Sequence, residues 1–205
     1  MGETKPNTSN TIFFSFSYWN GGGQIRNRLR TNPGLRNLIQ KKPDFFIYAE
    51  ALISSYHELG IDGYLCYLHK SKVESPNNYR RGLAIFYLKK YRFLFTKVYA
   101  CRTYDIVWMR LTTISEPLHF CFFYAPGSHH PLPDRERFYD IFSTKFADFA
   151  ALGKVYLIGD TNARLGSVLN DTNFKGQLIS NPNQHLFLEF LEFSGLSILN
   201  TKYCR

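Results

Sequence analysis

The chain has 205 residues, 44% of them hydrophobic and 17% aromatic, with 19 Phe and 14 Tyr. That supplies a large core for one domain and excludes both a disordered chain and a small scaffold that needs staples. Lys and Arg number 25 against 16 acidic residues, a formal charge of +9, which suits a polyanionic partner because cations neutralise phosphates and release counterions.

The positive groups are short: Arg26, Arg28 and Arg30; Lys41 and Lys42; Arg80 and Arg81; Lys89, Lys90 and Arg92. The blander reading of the same charge is a solvated basic surface that has no partner, and it is the weaker of the two. In chain order, Met1 to Asn10 is polar and lacks a secretory h-region, so residues 1–11 are expected to form a tail and 12–205 one domain. Ile12 to Tyr18 places Ile12, Phe14, Phe16 and Tyr18 on one face of a strand, with Ser15 and Ser17 opposite. A short helix is expected over Leu35 to Gln40. Phe45 to Ala49, Leu83 to Leu88, Ile106 to Leu111, Phe120 to Ala125 and Val155 to Ile158 are apolar runs bounded by turn residues, and read as strands. From Asp134 to Leu152, Phe138, Ile141, Phe142, Phe146 and Phe149 recur at helical spacing, with Gly153 as the stop. From Asn181 to Ser194, Asn181 is a cap, Pro182 fits the first helical position and Gln184 completes a capping box. Strands and helices so mixed indicate α/β layers.

The four cysteines (Cys66, Cys101, Cys121, Cys204) form no Cys-x-x-Cys pair, so neither a zinc site nor a disulfide framework is readable. No apolar run approaches membrane-spanning length. The expected compartment is reducing: cytosol or nucleus.

Polar side chains collect at the C-terminal ends of the predicted strands. Asn20 follows Tyr18, Glu50 follows Phe45 to Ala49, Tyr124 closes Phe120 to Phe123, and Asp160 and Asn162 follow Val155 to Ile158. In sheets covered by helices, that edge gathers catalytic and ligand groups. Asn20 before Gly21, Gly22 and Gly23, taken alone, reads more readily as a turn, and Tyr124-Ala125-Pro126-Gly127 reads equally as a strand end and turn. Glu50 is a charge within an apolar run, which favours a role over a surface accident. Asp160 and Asn162, two apart in an extended segment, would face one spot: a carboxylate able to hold a metal-bound water or take its proton, and an amide able to donate to a phosphate oxygen.

This ordered set, Asn at the first strand end, Glu at the second, Tyr-x-Pro, then Gly159-Asp160-Thr161-Asn162, resembles the endonuclease/exonuclease/phosphatase superfamily. Gly-Asp-Thr-Asn-Ala-Arg-Leu-Gly further resembles the endonuclease of non-LTR retrotransposons, as does Phe193 to Thr201. The resemblance covers roughly residues 12 to 201. It implies a four-layer α/β sandwich: two packed mixed β-sheets flanked by helices. It implies that Glu50, assisted by Asn20, binds Mg²⁺, with Mn²⁺ as a substitute. Asp160 would orient and deprotonate the attacking water, and Asn162 and Tyr124 would hold the scissile phosphate. Asn162, Arg164, Arg26, Arg80 and Arg81 are the expected contacts to a DNA partner, with a reverse transcriptase domain expected in the same polyprotein.

Two departures stand out. Thr161 replaces an apolar residue and should point away from the site. The family's later Asp and Ser-Asp-His segment, whose His contacts the phosphate, does not occur within these residues. His129-His130 lies in a loop whose Pro131 and Pro133 suggest an ordinary turn rather than a replacement. The expected consequence is a second sheet lacking its last strands, with an unpaired edge and a tendency to associate. Three functions are therefore open: an endonuclease nicking DNA for a retroelement, a catalytically inactive nucleic-acid-binding remnant, and a phosphatase of phosphoinositides or nucleotides.

Overall fold

Phe45–Ala49 (β2) is buried at every position, which a strand achieves only when both faces of its sheet are covered. It runs parallel to Phe16–Asn20 (β1) and antiparallel to Leu83–Leu88 (β4), which pairs in turn with Tyr64–His69 (β3). The first sheet thus has the order β1-β2-β4-β3. The second runs Phe95–Ala100 (β5), Asp105–Leu111 (β6), Leu118–Tyr124 (β7) and Lys154–Asp160 (β8), antiparallel except for the parallel pair β7 and β8. The computed structural model describes residues 13–22, 25–51, 60–70, 82–113, 116–166, 177 and 179–199, with the backbone alone at 25 and 26.

Three apolar clusters define four layers. Phe45, Ile47, Ala49, Leu83 and Ile85 from the first sheet meet Phe95, Val107, Met109, Leu111, Phe120 and Phe122 from the second. On the outer face of the first sheet, Phe46, Tyr48, Ala84 and Phe86 pack with Leu35, Leu38 and Ile39 of the helix Pro33–Gln40 (α2) and Leu29 of Ile25–Thr31 (α1). On the outer face of the second, Trp108, Cys121 and Phe123 pack with Phe138, Phe142 and Phe146 of Leu132–Ala150 (α3) and Leu186, Phe187 and Phe190 of Asn183–Ser194 (α4). This is the expected α/β sandwich. The expected apolar face of the first strand holds, since Phe14, Phe16 and Tyr18 pack into the inter-sheet core.

Boundaries and three elements differ from the sequence expectation. The first strand begins at Phe16 and extends to Asn20; Ile12 and the 1–11 tail lie outside the described residues. Strand β5 escaped notice because Thr96, Lys97 and Val98 are all exposed and the register shifts between Lys97 and Tyr99, so no two-residue period survives. Strand β3 is half-buried along most of its length and gives no alternation either. Helix α1 carries Arg26, Arg28 and Arg30 and too few apolar residues to show a stripe. Asn181 does not form the expected capping box: its Oδ1 accepts from Asn183 N at 3.2 Å and Arg164 N at 3.1 Å, and the helix opens at Asn183.

The register carries function-bearing residues to one rim. Asn20 pairs with Ala49, Ala49 and His69 each pair with Leu83, and Tyr124 lies between Asp105 and Asp160. At the opposite rim Asp44 ties the sheet ends together. It accepts from Ser15 N at 3.0 Å and Tyr91 Oη at 2.8 Å and pairs with Lys90 at 2.7 Å. Burial would raise its carboxyl, but the bonds to Lys90, Ser15 and Tyr91 outweigh it and hold the group at about 2. Among the described residues β8 has no strand on its outer side, and its Tyr156 is 40% exposed.

Candidate active site

The site is built where the two sheets end together. Asn20 Nδ2 lies 3.5 Å from Glu50 Oε1 and 3.3 Å from Asp160 Oδ2, so one amide spans two carboxylates from different sheets. The Tyr124 hydroxyl donates to Glu50 Oε1. Burial first, then the bond to Glu50, pushes the Tyr124 phenol up to about 12, so it stays a donor throughout the neutral range.

Glu50 sits in the left-handed region at φ 52, a conformation that costs a non-glycine residue about 1–3 kcal/mol and persists only where its surroundings impose it. They do so by two bonds: Gly21 N donates to Ala49 O at 3.1 Å, and Ala51 N to Gly82 O at 3.1 Å. Gly21 is required for the first, since a Cβ there would fall 1.9 Å from Tyr48 Cζ. The Asn-Gly pair that reads as a simple turn therefore brings β1 close enough to hold the Glu50 backbone.

Asp160 and Asn162 converge by a different route from the one expected. The chain is not extended through them: Asn162 has φ 47, and its N–H donates to Asp160 Oδ1 at 2.8 Å in a tight turn. The Asn162 Nδ2 then donates to Ala125 O at 2.7 Å, which places the amide beside Tyr124. The backbone carbonyl of Asn162 accepts from Asn181 Nδ2 at 2.8 Å and Asn183 Nδ2 at 3.1 Å. Asn183 is fully buried and is itself held by the buried Arg135, Nη1 to Oδ1 at 3.0 Å. Thr161 Oγ accepts from Ala163 N at 3.2 Å, a local turn contact.

Gly159 explains the first letter of the motif. It faces Phe123 across β7 and β8, and a Cβ there would lie 2.3 Å from the Phe123 carbonyl. Beneath the site the Tyr18 hydroxyl donates to the same carbonyl at 3.4 Å. Burial, then Asp160, Tyr124, Asp105 and Glu50, raise the Tyr18 phenol well above its ordinary value.

The five core candidates, Asn20, Glu50, Tyr124, Asp160 and Asn162, thus meet at one rim. Arg164 is exposed and joined through its backbone to Asn181. The side chain of Arg26, with Arg80 and Arg81, lies outside the described residues. The His129 ring folds back over Gly127 and lies tilted against His130, at 4.4 Å between centroids. Sequence reasoning missed Tyr18, Arg135, Asn181 and Asn183. Their only signal was polar groups within apolar faces, which Arg135 and Asn183 share with many surface residues.

Among the described residues no three or more His, Cys, Asp or Glu side chains cluster, so soft-metal chelation is not built here. Two half-exposed carboxylates bridged by an amide instead match a hard divalent cation, which takes one or two carboxylates and keeps several waters. Glu50 and the Asn20 amide oxygen would hold it.

No protein-family model and no curated protein matches the sequence. Solved structures do match. The endonuclease domain of TRAS1, a telomere-specific non-LTR retrotransposon, is 14% identical with a TM-score of 0.56, over 86% of this chain and 70% of that one. The chain has the fold of the endonuclease/exonuclease/phosphatase superfamily. The catalytic domain of Xenopus laevis APE2 shares that fold at 19% identity and a TM-score of 0.59, over 86% of this chain and 67% of that one. So does a D. rerio TDP2 humanized by 14 mutations, at 16% identity and a TM-score of 0.55, over 74% and 63%. The five side chains above occupy the rim where the two sheets end.

Proposed function

We propose that the protein is a divalent-metal-dependent phosphodiesterase that nicks DNA, as the endonuclease domain of a non-LTR retroelement. The observation that carries the reading is the Asn20 amide spanning Glu50 and Asp160, with Tyr124 on Glu50. Mg²⁺, with Mn²⁺ as its substitute, would neutralise charge building on the scissile phosphate. Asp160, half-exposed at the rim, would orient the attacking water and take its proton, while Asn162 and Tyr124 donate to the phosphate oxygens. The net charge of +9 and the exposed Arg164 support a polyanionic substrate over a small phosphate ester. The likeness to the TRAS1 endonuclease domain supports a retroelement setting, with a reverse transcriptase as the expected companion domain.

Supercoiled plasmid should be nicked with Mg²⁺ present, not after chelation, and not by Glu50→Ala or Asp160→Ala. Nicking that persists in both variants would remove the assignment. A second reading, a non-catalytic nucleic-acid-binding protein of this fold, draws support from the histidines: His69 is held by Tyr104 O at 3.1 Å, His119 is buried against Phe149, and His129 covers Gly127. It predicts DNA binding without metal-dependent nicking. Cleavage of inositol phosphates or nucleotides in preference to plasmid would favour a phosphatase instead.

A further inference from the structure

Asp105 and His69 form a buried polar pair that the proposed chemistry does not use. Asp105 is 3% exposed and His69 7%. Their strands deliver them to the active rim, Asp105 opposite Tyr124 and His69 opposite Leu83. The His69 Nε2 lies 3.1 Å from Tyr104 O and 3.9 Å from Asp105 Oδ1. A carbonyl only accepts, so Nε2 carries the proton and donates it to Tyr104 O, which sets the ring beside the Asp105 carboxylate.

The other carboxylate oxygen leads to the site. Asp105 Oδ2 accepts from Gly82 N at 3.1 Å, and Gly82 O accepts from Ala51 N at 3.1 Å. Ala51 follows Glu50, whose backbone is in the left-handed region. Burying a carboxylate is costly, and this one, through Oδ2, begins a three-residue chain of bonds that ends on Ala51, next to the metal-ligand candidate. We infer that Asp105, oriented by His69, is a positioning residue for Glu50: it holds Gly82 so that Gly82 can hold Ala51 and keep the Glu50 carboxylate aimed at the Asn20 and Asp160 corner. The inference rests on the metal-site reading above and adds residues to it.

The test uses Mn²⁺ alone as the probe, its binding followed by electron paramagnetic resonance, together with hydrogen exchange at the Ala51 amide. In Asp105→Ala, Ala51 should exchange at least about tenfold faster and Mn²⁺ affinity should fall roughly 10- to 100-fold, as for other residues that orient a metal ligand. Asp105→Asn keeps an acceptor for Gly82 N and should restore both to near wild type. If Asp105→Ala does not fold, His69→Leu serves, with both quantities moving in the same direction by at least about threefold. A folded variant with unchanged Ala51 exchange overturns the inference, as does faster exchange with unchanged Mn²⁺ affinity, which would mark a purely structural role. Failure of the wild type to bind Mn²⁺ would instead overturn the proposed function, and the bond chain would be judged on Ala51 exchange.

Discussion

The Tyr124 hydroxyl, at the end of β7 in the second sheet, donates to Glu50 Oε1 at the end of β2 in the first. The bond crosses the seam of the sandwich and spans residues 74 positions apart in sequence. Tyr124→Phe keeps the ring in the core and deletes only this donor. Nicking should fall about 100-fold, the usual effect of losing one donor to developing charge, with the melting temperature nearly unchanged. Turnover within about threefold of wild type would show that the hydroxyl only tethers Glu50.

Gly159→Ala should act on the fold rather than the chemistry. Its Cβ would lie 2.3 Å from Phe123 O and 2.5 Å from the Phe123 ring, so β7 and β8 must separate. The expected cost is about 1–3 kcal/mol, visible as a melting point several degrees lower. An unchanged melt would mean that β8 already sits further from β7.

Stability should fall at both pH extremes for identifiable reasons. Asp44 titrates near 2 in the folded chain against an ordinary 3.8, so its contribution is present above pH 3.8 and is lost as pH falls through about 2. That is on the order of 2 kcal/mol before solvent screening reduces it, and Asp44→Asn should flatten the acid limb. Tyr48 and Tyr124 are raised from 10 to about 12, chiefly by burial. Their contribution is present below pH 10 and disappears between pH 10 and 12. Urea midpoints measured across pH give both limbs.

Among the described residues no strand lies on the outer side of β8, and Tyr156, 40% exposed and stacked on Phe120, gives that edge an aromatic face. Such edges recruit further strands. Sedimentation should show association that grows with protein concentration and weakens when Tyr156→Lys places a charge on the edge. A sharp, reversible, strictly monomeric melt would contradict this.

Most of the rim was legible in the sequence because its side chains stand directly after uninterrupted apolar strands. Phe45 to Ala49 announces β2, so Glu50 stands out as a charge where none is needed for folding. Asp160 and Asn162 were found for a reason that was only half right: alternation along a strand does not bring them together, whereas the left-handed turn at Asn162 does. Asp105 and His69 were not legible, because a polar residue at a strand terminus looks like solvated punctuation until the partner strand is known. Strand β5 was hidden by its shifted register and exposed middle. The basic groups at Arg26, Arg80 and Arg81 were read from charge alone, and their side chains fall outside the described residues.

The clash that forbids a side chain at Gly159 separates the motif into parts that answer to different demands. Gly159 serves the spacing of β7 and β8, and Asn162, through its backbone, serves the loop that Asn181 and Asn183 fasten. Glu50 and Asp160 are the two residues on which the proposed chemistry rests, beside the bonds they accept from Tyr124 and from Asn162 N. On the proposed function, a copy that has stopped cutting must still keep its spacing residues in order to fold, while the two carboxylates are freer to drift. On that reading, change at Glu50 and Asp160 with Gly159 kept would mark a copy that folds without cutting, whereas a surviving glycine says nothing about cleavage.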